Sequence, residues 1–460
     1  MIAHQGMISH LRLPRRLGAV LILLASGALA PAVAAQRPAQ DTALTHPLSL
    51  GDAARLASRS SASARAARYR TAQAEARVTQ SRAQLLPDIS ALALGNGRSF
   101  NTATFGIPFP GFDPNGTVIS GVNTLDVRGR ASMNLLDFSA FGRIRGAKST
   151  ARASALTAES VAEQAATTAA LAYLNAQRAD AQLAARQADS VLADSLVSIA
   201  EAQLAAGVGV ALDVTRAKAQ MASVHAQLIA ARNARNRTRL DLIRALGLPL
   251  GTPIRLADSL ASLPVIDTLP SEGSAIELAM ENRPDLRATE AQLVAAKQGV
   301  SAIKAERLPS LSAFGDEGWI GIKMNHLLNT YDWGLQISVP IFDGFHREGR
   351  IEEQTAAVRE IDVQRRDLRQ GVAIEVRSAL LDLASAQQEM GAARERLDLA
   401  EQELAQATDR FRTGVAGNAD VITATLALNS SRNLMIDALT NYQTARVALA
   451  HAQGSVTEIP

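Results

Sequence analysis

The sequence predicts a mixed α and β fold in which amphipathic strands run directly into very long helices. Three observations carry this prediction. From Asp332 to Phe342, apolar residues alternate with polar or small residues, the period of a strand with one apolar face. After Asp343 no proline occurs before Pro460, and apolar residues recur every seven positions, as in a coiled coil. Several phrases of the first half also return in the second half, which predicts an internal two-fold repeat.

The first 35 residues are expected to be a signal peptide. Arg12, Arg15 and Arg16 precede the apolar run LGAVLILLASGALA, and small residues at Val33 and Ala35 suit a cleavage site. The chain is therefore expected to be exported. Of its 47 Lys and Arg residues three lie in this leader, which leaves 44 against 44 acidic residues. This balance gives no argument for a nucleic-acid partner.

Several chemistries are excluded by composition and spacing. The chain has no cysteine, which rules out disulfides, thiolate metal sites, cysteine nucleophiles and a lipid-modified N-terminal cysteine. Its seven histidines are scattered, without the spacing of metal ligands, and no glycine-rich phosphate loop follows a strand. Acidic pairs such as Glu352 and Glu353 belong to a charged helical surface. We therefore predict no catalytic residue, no metal and no cofactor.

Membrane crossing, if it occurs, must use strands, because no apolar run after the leader reaches the ~18 residues of a membrane helix. The segment from Leu125 to Leu135 alternates between an apolar and a strongly polar face. Such alternation matches a transmembrane strand that lines a wet pore, although a strand of a water-soluble sheet also fits it. The apolar face comprises Leu125, Val127, Ala131, Met133 and Leu135, and the polar face Asp126, Arg128, Arg130, Ser132 and Asn134.

Three phrases mark the repeat. LPDIS at 86–90 returns as LPSLS at 308–312, LLDFSAFGR at 135–143 as PIFDGFHR at 340–347, and AGVGVALDV at 206–214 as TGVAGNADV at 413–421. The spacing of these phrases places about eighteen extra residues in the first repeat, which we assign to the loop between its strands.

The repeat divides the chain into four parts. They are a signal peptide (1–35), a first repeat (36–247), an ordered connector (248–273) and a second repeat (274–460). Each repeat is expected to hold a helix, a strand pair (88–138 or 310–343), a long helix, a tip (207–213 or 414–420) and a return helix. The initial helices are predicted at Leu50 to Leu85 and at Ser274 to Leu308, each ended by the following proline.

Each long helix is predicted to begin at an N-cap, Ser139 in the first repeat and Asp343 in the second. Roughly 65 to 70 residues without proline follow, and at ~1.5 Å per residue such a helix spans about 100 Å. The heptad seam is clear in the second repeat and weaker in the first, where alanine predominates. The two seams are Val376, Leu383, Met390, Leu397, Leu404 and Phe411, and Ala169, Ala176, Leu183, Ser190, Val197 and Leu204.

Aromatic residues cluster near the predicted strand ends. They could form a girdle at a membrane surface or fill a small core inside the loops. These residues are Phe100, Phe105, Phe109, Phe112, Trp319, Tyr331 and Trp333.

The two tips share a glycine followed six residues later by an aspartate: Gly207 with Asp213, and Gly414 with Asp420. Structurally, glycine closes the turn and aspartate caps or begins the return helix. Functionally, a carboxylate at every tip of an oligomeric tube would select cations or dock a partner. The sequence leaves both interpretations open.

Taken together, these features resemble the TolC family of outer-membrane channel proteins. The match extends over nearly all of the chain after the leader, and its most specific phrases are LAMENRPDLRATEAQL at 278–293, SVPIFDGFHR at 338–347 and the paired tips. The resemblance implies a homotrimer in which each protomer gives four strands to one 12-stranded transmembrane β-barrel. This barrel would continue into a long periplasmic α-helical barrel of coiled-coil hairpins.

The implied function is a passive exit duct in the outer membrane of a Gram-negative bacterium, held by outer-membrane lipid without a lipid anchor. Such ducts serve a multidrug efflux pump or type I secretion system, together with a periplasmic adaptor and an inner-membrane transporter of the RND or ABC type. The resemblance implies adaptor docking at Gly207, Val208, Gly414 and Val415. The alternative is a periplasmic coiled-coil adaptor or envelope scaffold, and the sequence does not identify the cargo.

At the periplasmic entrance the resemblance places Asp213, Asp420 and Phe411. The chain departs from the family here, because Phe411 and Ala416 stand where some members carry gate residues and Thr423 replaces a further acid. A closed entrance held by polar bonds is therefore not expected.

Overall fold

The computed structural model describes residues 47–106, 113, 115–265, 269–413, 415 and 417–459. The predicted signal peptide, Phe109, Phe112, Gly414 and Ala416 lie outside this range. The elements of the first half are α1 (Leu50–Ser60), α2 (Ala62–Ala83), β1 (Asp88–Asn101), β2 (Val118–Leu136), α3 (Phe138–Ala205) and α4 (Ala211–Leu246). Those of the second half are α5 (Glu272–Asn282), α6 (Pro284–Ala305), β3 (Ser310–Gly321), β4 (Leu328–Ser338), α7 (His346–Arg412) and α8 (Asn418–Gln453). Short 3₁₀ turns lie at Thr102–Phe105 and Val456–Glu458.

The four strands form one antiparallel sheet in the order β1-β2-β3-β4. Strand β2 of the first half therefore pairs with β3 of the second half, and β1 and β4 are the edges of the described sheet. The register shifts between Arg98 and Phe100, and again between Asn134 and Leu136. Such irregularities bend a strand and increase its twist.

Strand lengths differ between the halves. Strand β2 has 19 residues whereas β4 has 11. The extra residues of the first half therefore lengthen its strands as well as its loop. The sequence-based prediction had placed all of them in the loop. Strand β4 ends at Ser338, before the predicted end at Phe342, since Pro340 has no N–H to donate to a ladder.

The helices α3 and α7 contain 68 and 67 residues. At ~1.5 Å per residue each is about 100 Å long. Helix α3 packs on α1, α2, α4, α6 and α8. In the second half Val376 and Leu383 are completely buried in a cluster with Tyr442 of α8. Burial of each such aliphatic side chain contributes ~1.5–3 kcal/mol.

The sequence predicted one initial helix in each repeat. In the structure each of these is divided into two shorter helices. Ser61 separates α1 from α2, and its hydroxyl accepts a hydrogen bond from the N–H of Ala64. Arg283 separates α5 from α6 because Pro284 follows it and forces it into an extended conformation. A serine N-cap and a proline at the first helical position are both start signals for a new helix.

The predicted N-caps of the long helices are wrong. At α3 the cap is Asp137, whose carboxylate accepts hydrogen bonds from the N–H groups of Ser139 and Ala140. Ser139 instead lies inside the first turn. At α7 the capping position is Phe345, a non-glycine residue with φ of 65°, which costs ~1 kcal/mol. The Asp343 carboxylate accepts from the N–H of Arg347, the second residue of the helix, at 3.3 Å.

The described part of the connector packs on α3. The Tyr173 hydroxyl donates to the carbonyl of Leu48 at 2.8 Å and lies 3.1 Å from Oδ2 of Asp258. Gln177 donates to the carbonyl of Asp258 at 3.0 Å. The backbones of Leu48 and Leu256 form a parallel bridge. These bonds hold the described part of the connector against α3 and the segment around Leu48.

In the described part of the chain, none of the helices combines the length and the apolar character needed to cross a membrane.

Candidate functional site

The first tip is a tight glycine turn. Helix α3 ends at Ala205, and Gly207 follows in the left-handed conformation with φ of 74°. The N–H groups of Val208 and Gly209 both reach the carbonyl of Gln203, at 3.1 and 3.0 Å. These bonds satisfy a helix-end carbonyl and reverse the chain before α4. The positive φ favours glycine, although space for a side chain is free around it.

The second tip is described only in part. Helix α7 ends at Arg412, and the N–H of Val415 donates to the carbonyl of Arg410 at 3.0 Å. The predicted docking residue Gly414 lies outside the described residues. Helix α8 begins at Asn418 after Gly417.

Apolar side chains project from both tips. Val208 is 80% exposed and Val415 is 71% exposed. Val210 and Leu212 add to the exposed apolar surface of the first tip. Exposed apolar surface concentrated at one end of an elongated element is suited to a protein partner.

Two hydrogen bonds join the tips. Asn418, which is buried, donates from Nδ2 to the main-chain oxygen of Asp213 at 2.7 Å. Gln203 donates from Nε2 to the main-chain oxygen of Phe411 at 3.1 Å. Because each donor lies in one hairpin and its acceptor in the other, the tips are held together. No local pattern in the sequence indicates these bonds, since the partners are about 200 residues apart.

Phe411 is a packing residue of this region. Only 2% of it is exposed, and it packs with Leu196 of α3 and Val421 of α8. The structure therefore places the side chain between the two hairpins and not on the surface of the tip. Its heptad position is the sequence signal for this packing.

The two tip aspartates lie in the first turns of the return helices. Asp213 is partly buried, and its carboxylate is 3.9 Å from the guanidinium of Arg216. Asp420 is exposed. Neither occupies the N-cap position, which belongs to Val210 in α4 and to Gly417 in α8. Both carboxylates still interact favourably with the positive end of a helix dipole.

Farther from the tips, towards the sheet, a buried carboxylate joins the two hairpins. Asp189 of α3 is 1% exposed and lies 3.0 Å from Arg186 and 3.1 Å from Arg432 of α8. A second ion pair, Arg178 with Asp437, links the same two helices at 2.7 Å. These contacts fix α3 against α8 above the tips.

The sheet has one strongly polar face. Arg128 of β2 donates from Nε to Asp126 at 2.9 Å and from Nη1 to Asp316 of β3 at 2.8 Å. The register places Arg130 opposite Asp316, and Asp316 opposite Asp332 of β4. Charged groups thus cross three adjacent strands on one side. This face could line a water-filled space.

The opposite face of the sheet is apolar and open. The register places its side chains in rows that cross from β4 to β1. On β4, Trp333, Leu335 and Ile337 are each about 70% exposed. Glu317 is the acidic side chain on this side of the described sheet, and it accepts from Asn329 at 3.3 Å. Such an exposed apolar face is stable only in contact with lipid or protein.

The described residues contain no group of three or more His, Asp or Glu side chains arranged to hold a metal ion.

Comparison with known proteins agrees with this geometry. The family model described as outer membrane efflux protein matches residues 54–248 and 275–455. Protein CyaE of Bordetella pertussis is 25% identical over 299 residues, which cover 62% of this chain and 61% of CyaE. The alignment thus spans less than two thirds of that relative.

A longer match is found with the alkaline protease secretion protein AprF of Pseudomonas aeruginosa. It is 25% identical over 386 residues, covering 82% of this chain and 78% of AprF. Among solved structures, the outer membrane protein VceC of Vibrio cholerae superposes with a TM-score of 0.70. The two chains are 21% identical, and the match covers 88% of this chain and 96% of VceC. The fold of this chain is therefore that of VceC, mostly helical with a smaller strand part.

Proposed function

The chain belongs to the outer membrane efflux protein family, and from this premise we propose that it is a passive outer-membrane exit duct. It would receive substrates from an inner-membrane transporter and a periplasmic adaptor and release them outside the cell. One observation carries the proposal. A sheet with one apolar and one charged face is joined directly to two helical hairpins whose long helices, α3 and α7, are each about 100 Å long.

The duct is a homotrimer with a 12-stranded β-barrel. Support comes from β1 and β4, which are the edges of the described four-stranded sheet. Open edges invite pairing with another chain, and three copies joined edge to edge close a ring without edges. In this arrangement the apolar face meets lipid and the face with Arg128 and Asp316 lines the lumen. The two halves of each chain are internal repeats, with the boundaries predicted from the sequence.

The tips form the periplasmic end of the duct. Exposed Val208 and Val415, next to Gly207 and Gly414, are the docking surface for the adaptor. Asp213 and Asp420 supply carboxylates at the entrance. Phe411 supports this entrance from within, because its side chain is packed between the hairpins.

The partners are an adaptor protein and an inner-membrane transporter of the RND or ABC type. The family is described by efflux and AprF by alkaline protease secretion, so both an efflux pump and a type I secretion system suit the proposed duct. The transporter supplies the energy, and no catalytic role is proposed for this chain.

Fractionation of cells that produce the protein tests this proposal. We expect it in the outer membrane, as a trimer that resists SDS until it is heated. Recovery of a monomer from the periplasm, or from the inner membrane, would favour the alternative of an adaptor or envelope scaffold.

A further inference from the structure

The beginning of α3 carries an exposed aromatic pair directly below the sheet. Phe138 and Phe141 are 42% and 43% exposed, although they follow the end of β2 at Leu136. Residues three apart lie on the same side of a helix. The pair therefore presents two rings on one surface.

The same surface continues as a row of cations. Arg145, Lys148 and Arg152 follow Phe138 by seven, ten and fourteen residues, which keeps all of them on one helical face. All three are exposed, and none has an ion-pair partner within 4.0 Å among the described residues. At ~1.5 Å per residue the cations lie about 10 to 20 Å below Phe138.

Neighbouring elements pack on other faces of this helix. Gly142 lies so close to α6 that an added Cβ would be 2.7 Å from the Cα of Ala302. Arg143 donates from Nε to Oε1 of Gln84 at 2.8 Å, next to the end of α2. Packing thus fixes which face of α3 is free, and that face carries the two rings and the three cations.

The height of the rings matches the lower edge of an apolar band. The register links Tyr331 to Gly129 through Glu317, so these residues share one row of the apolar face. The next row up pairs Trp319 with Val127. From these two rows to Phe138 the chain runs ~30 to 36 Å at ~3.3 Å per residue, or about 23 to 28 Å in height for a strand tilted by ~40°. A transmembrane barrel has an apolar band about 25 Å tall, bordered by aromatic residues at both ends.

We propose that this stripe, Phe138, Phe141, Arg145, Lys148 and Arg152, binds anionic phospholipid at the periplasmic surface of the outer membrane. The inference rests on the membrane duct proposed above. The rings enter the acyl region, and the cations below them contact the phosphate and the anionic head group.

The second half of the chain provides an internal control. Phe342 and Phe345 stand where the matching phrase of the first half has Phe138 and Phe141. The positions of the three cations are held there by Gly349, Glu352 and Ala356. The aromatic pair is thus shared by both halves, whereas the site for an anionic head group belongs to the first half alone.

Native mass spectrometry of the full-length protein in detergent tests this inference. Phosphatidylglycerol and phosphatidylcholine with identical acyl chains are added in turn. We expect the wild type to prefer phosphatidylglycerol, because each Lys or Arg near a head group strengthens binding about five-fold. The triple variant R145G/K148E/R152A, which gives the first half the residues of the second, should lose this preference. Equal binding of the two lipids by the wild type, or a preference that survives in the triple variant, would overturn the proposal.

Two further variants make the result specific. R232G/R237E/R244A removes the same charge from exposed positions of α4 and should keep the preference. If the first triple variant fails to fold, Arg145→Gly alone should weaken phosphatidylglycerol binding about five-fold, and no weakening would count against the site.

Conductance is measured on the same samples. A conducting protein without lipid preference refutes only the lipid site, whereas a lipid preference without conductance refutes only the duct.

Discussion

The side-chain amide of Asn418 donates to the main-chain oxygen of Asp213 at 2.7 Å, which joins the first turns of the two return helices. Asn418 is 2% exposed, so water does not compete for this bond. The two tips of one chain are therefore coupled at the end where the adaptor is proposed to dock.

Asn418→Ala should loosen the tips. Loss of one buried hydrogen bond costs ~1–3 kcal/mol. In this variant the loss should lower the free energy of local opening at the tips. Hydrogen exchange at the start of α8 should become faster, whereas exchange around Tyr442 should stay unchanged. Thr423→Ala, at an exposed position of the same helix, is the control. Unchanged exchange in Asn418→Ala would show that the bond does not hold the tips.

Asp316→Asn should weaken the sheet between β2 and β3. The substitution removes an ionic partner of Arg128, which lies on the neighbouring strand at 2.8 Å. We expect the proposed trimer of this variant to lose its resistance to SDS at a lower temperature than that of the wild type. Asp332→Asn, opposite Asp316 on β4 and exposed, should have a smaller effect. Equal effects of the two variants would argue against a special role for the ion pair.

His451 should make stability depend on pH. Burial, with a smaller contribution from Arg283, lowers the pKa of its imidazole below the ordinary 6.5. As pH falls below about 6.5, the unfolded chain binds the proton before the native protein does, so stability is lost down to the lowered native pKa. His451→Gln cannot titrate and can still bond to Thr167, which lies 3.0 Å from Nδ1 of the imidazole.

Thermal unfolding at pH 7.5 and pH 5.5 checks this prediction. The wild type should lose more stability between the two values than the glutamine variant. The same loss in both proteins would assign the pH dependence to other groups.

Asp420→Asn should reduce cation preference more than Asp213→Asn does. Asp420 is exposed, whereas Asp213 is partly buried and 3.9 Å from Arg216, which offsets part of its charge. Reversal potentials across a bilayer with a KCl gradient measure the preference. Unchanged potentials in the double variant would leave these aspartates only a role in stabilising the helices.

Local pattern predicted the long helices and the direct passage from strand to helix. Absence of proline, a heptad repeat and alternating side chains are visible in single segments of the sequence. The errors concern choices between neighbouring residues. Asp137 caps α3 in place of Ser139, and Arg283 adopts an extended conformation before Pro284, so that one predicted helix becomes two. Both the Asp137 cap and the helix start at Pro284 could have been predicted, because aspartate is a favoured N-cap residue and proline is favoured at the first position of a helix.

The candidate site was less predictable, because it depends on contacts between distant segments. The glycines and aspartates of the tips are visible as a repeated motif. The bond from Asn418 to Asp213 and the pairing of Arg128 with Asp316 join residues about 200 positions apart. Only the packing of hairpin on hairpin and the register of β2 on β3 bring them together. For the same reason the sequence placed Phe411 near the entrance without indicating that Leu196 and Val421 bury its side chain there.

Single-channel recording tests the central claim most directly. Purified trimer, extracted from outer membranes, is added to a planar lipid bilayer without an adaptor, transporter or nucleotide. The account predicts long-lived conducting events, because a passive duct needs no partner to form its pore. A folded trimer that inserts into the bilayer and never conducts ions, at either polarity, would contradict it.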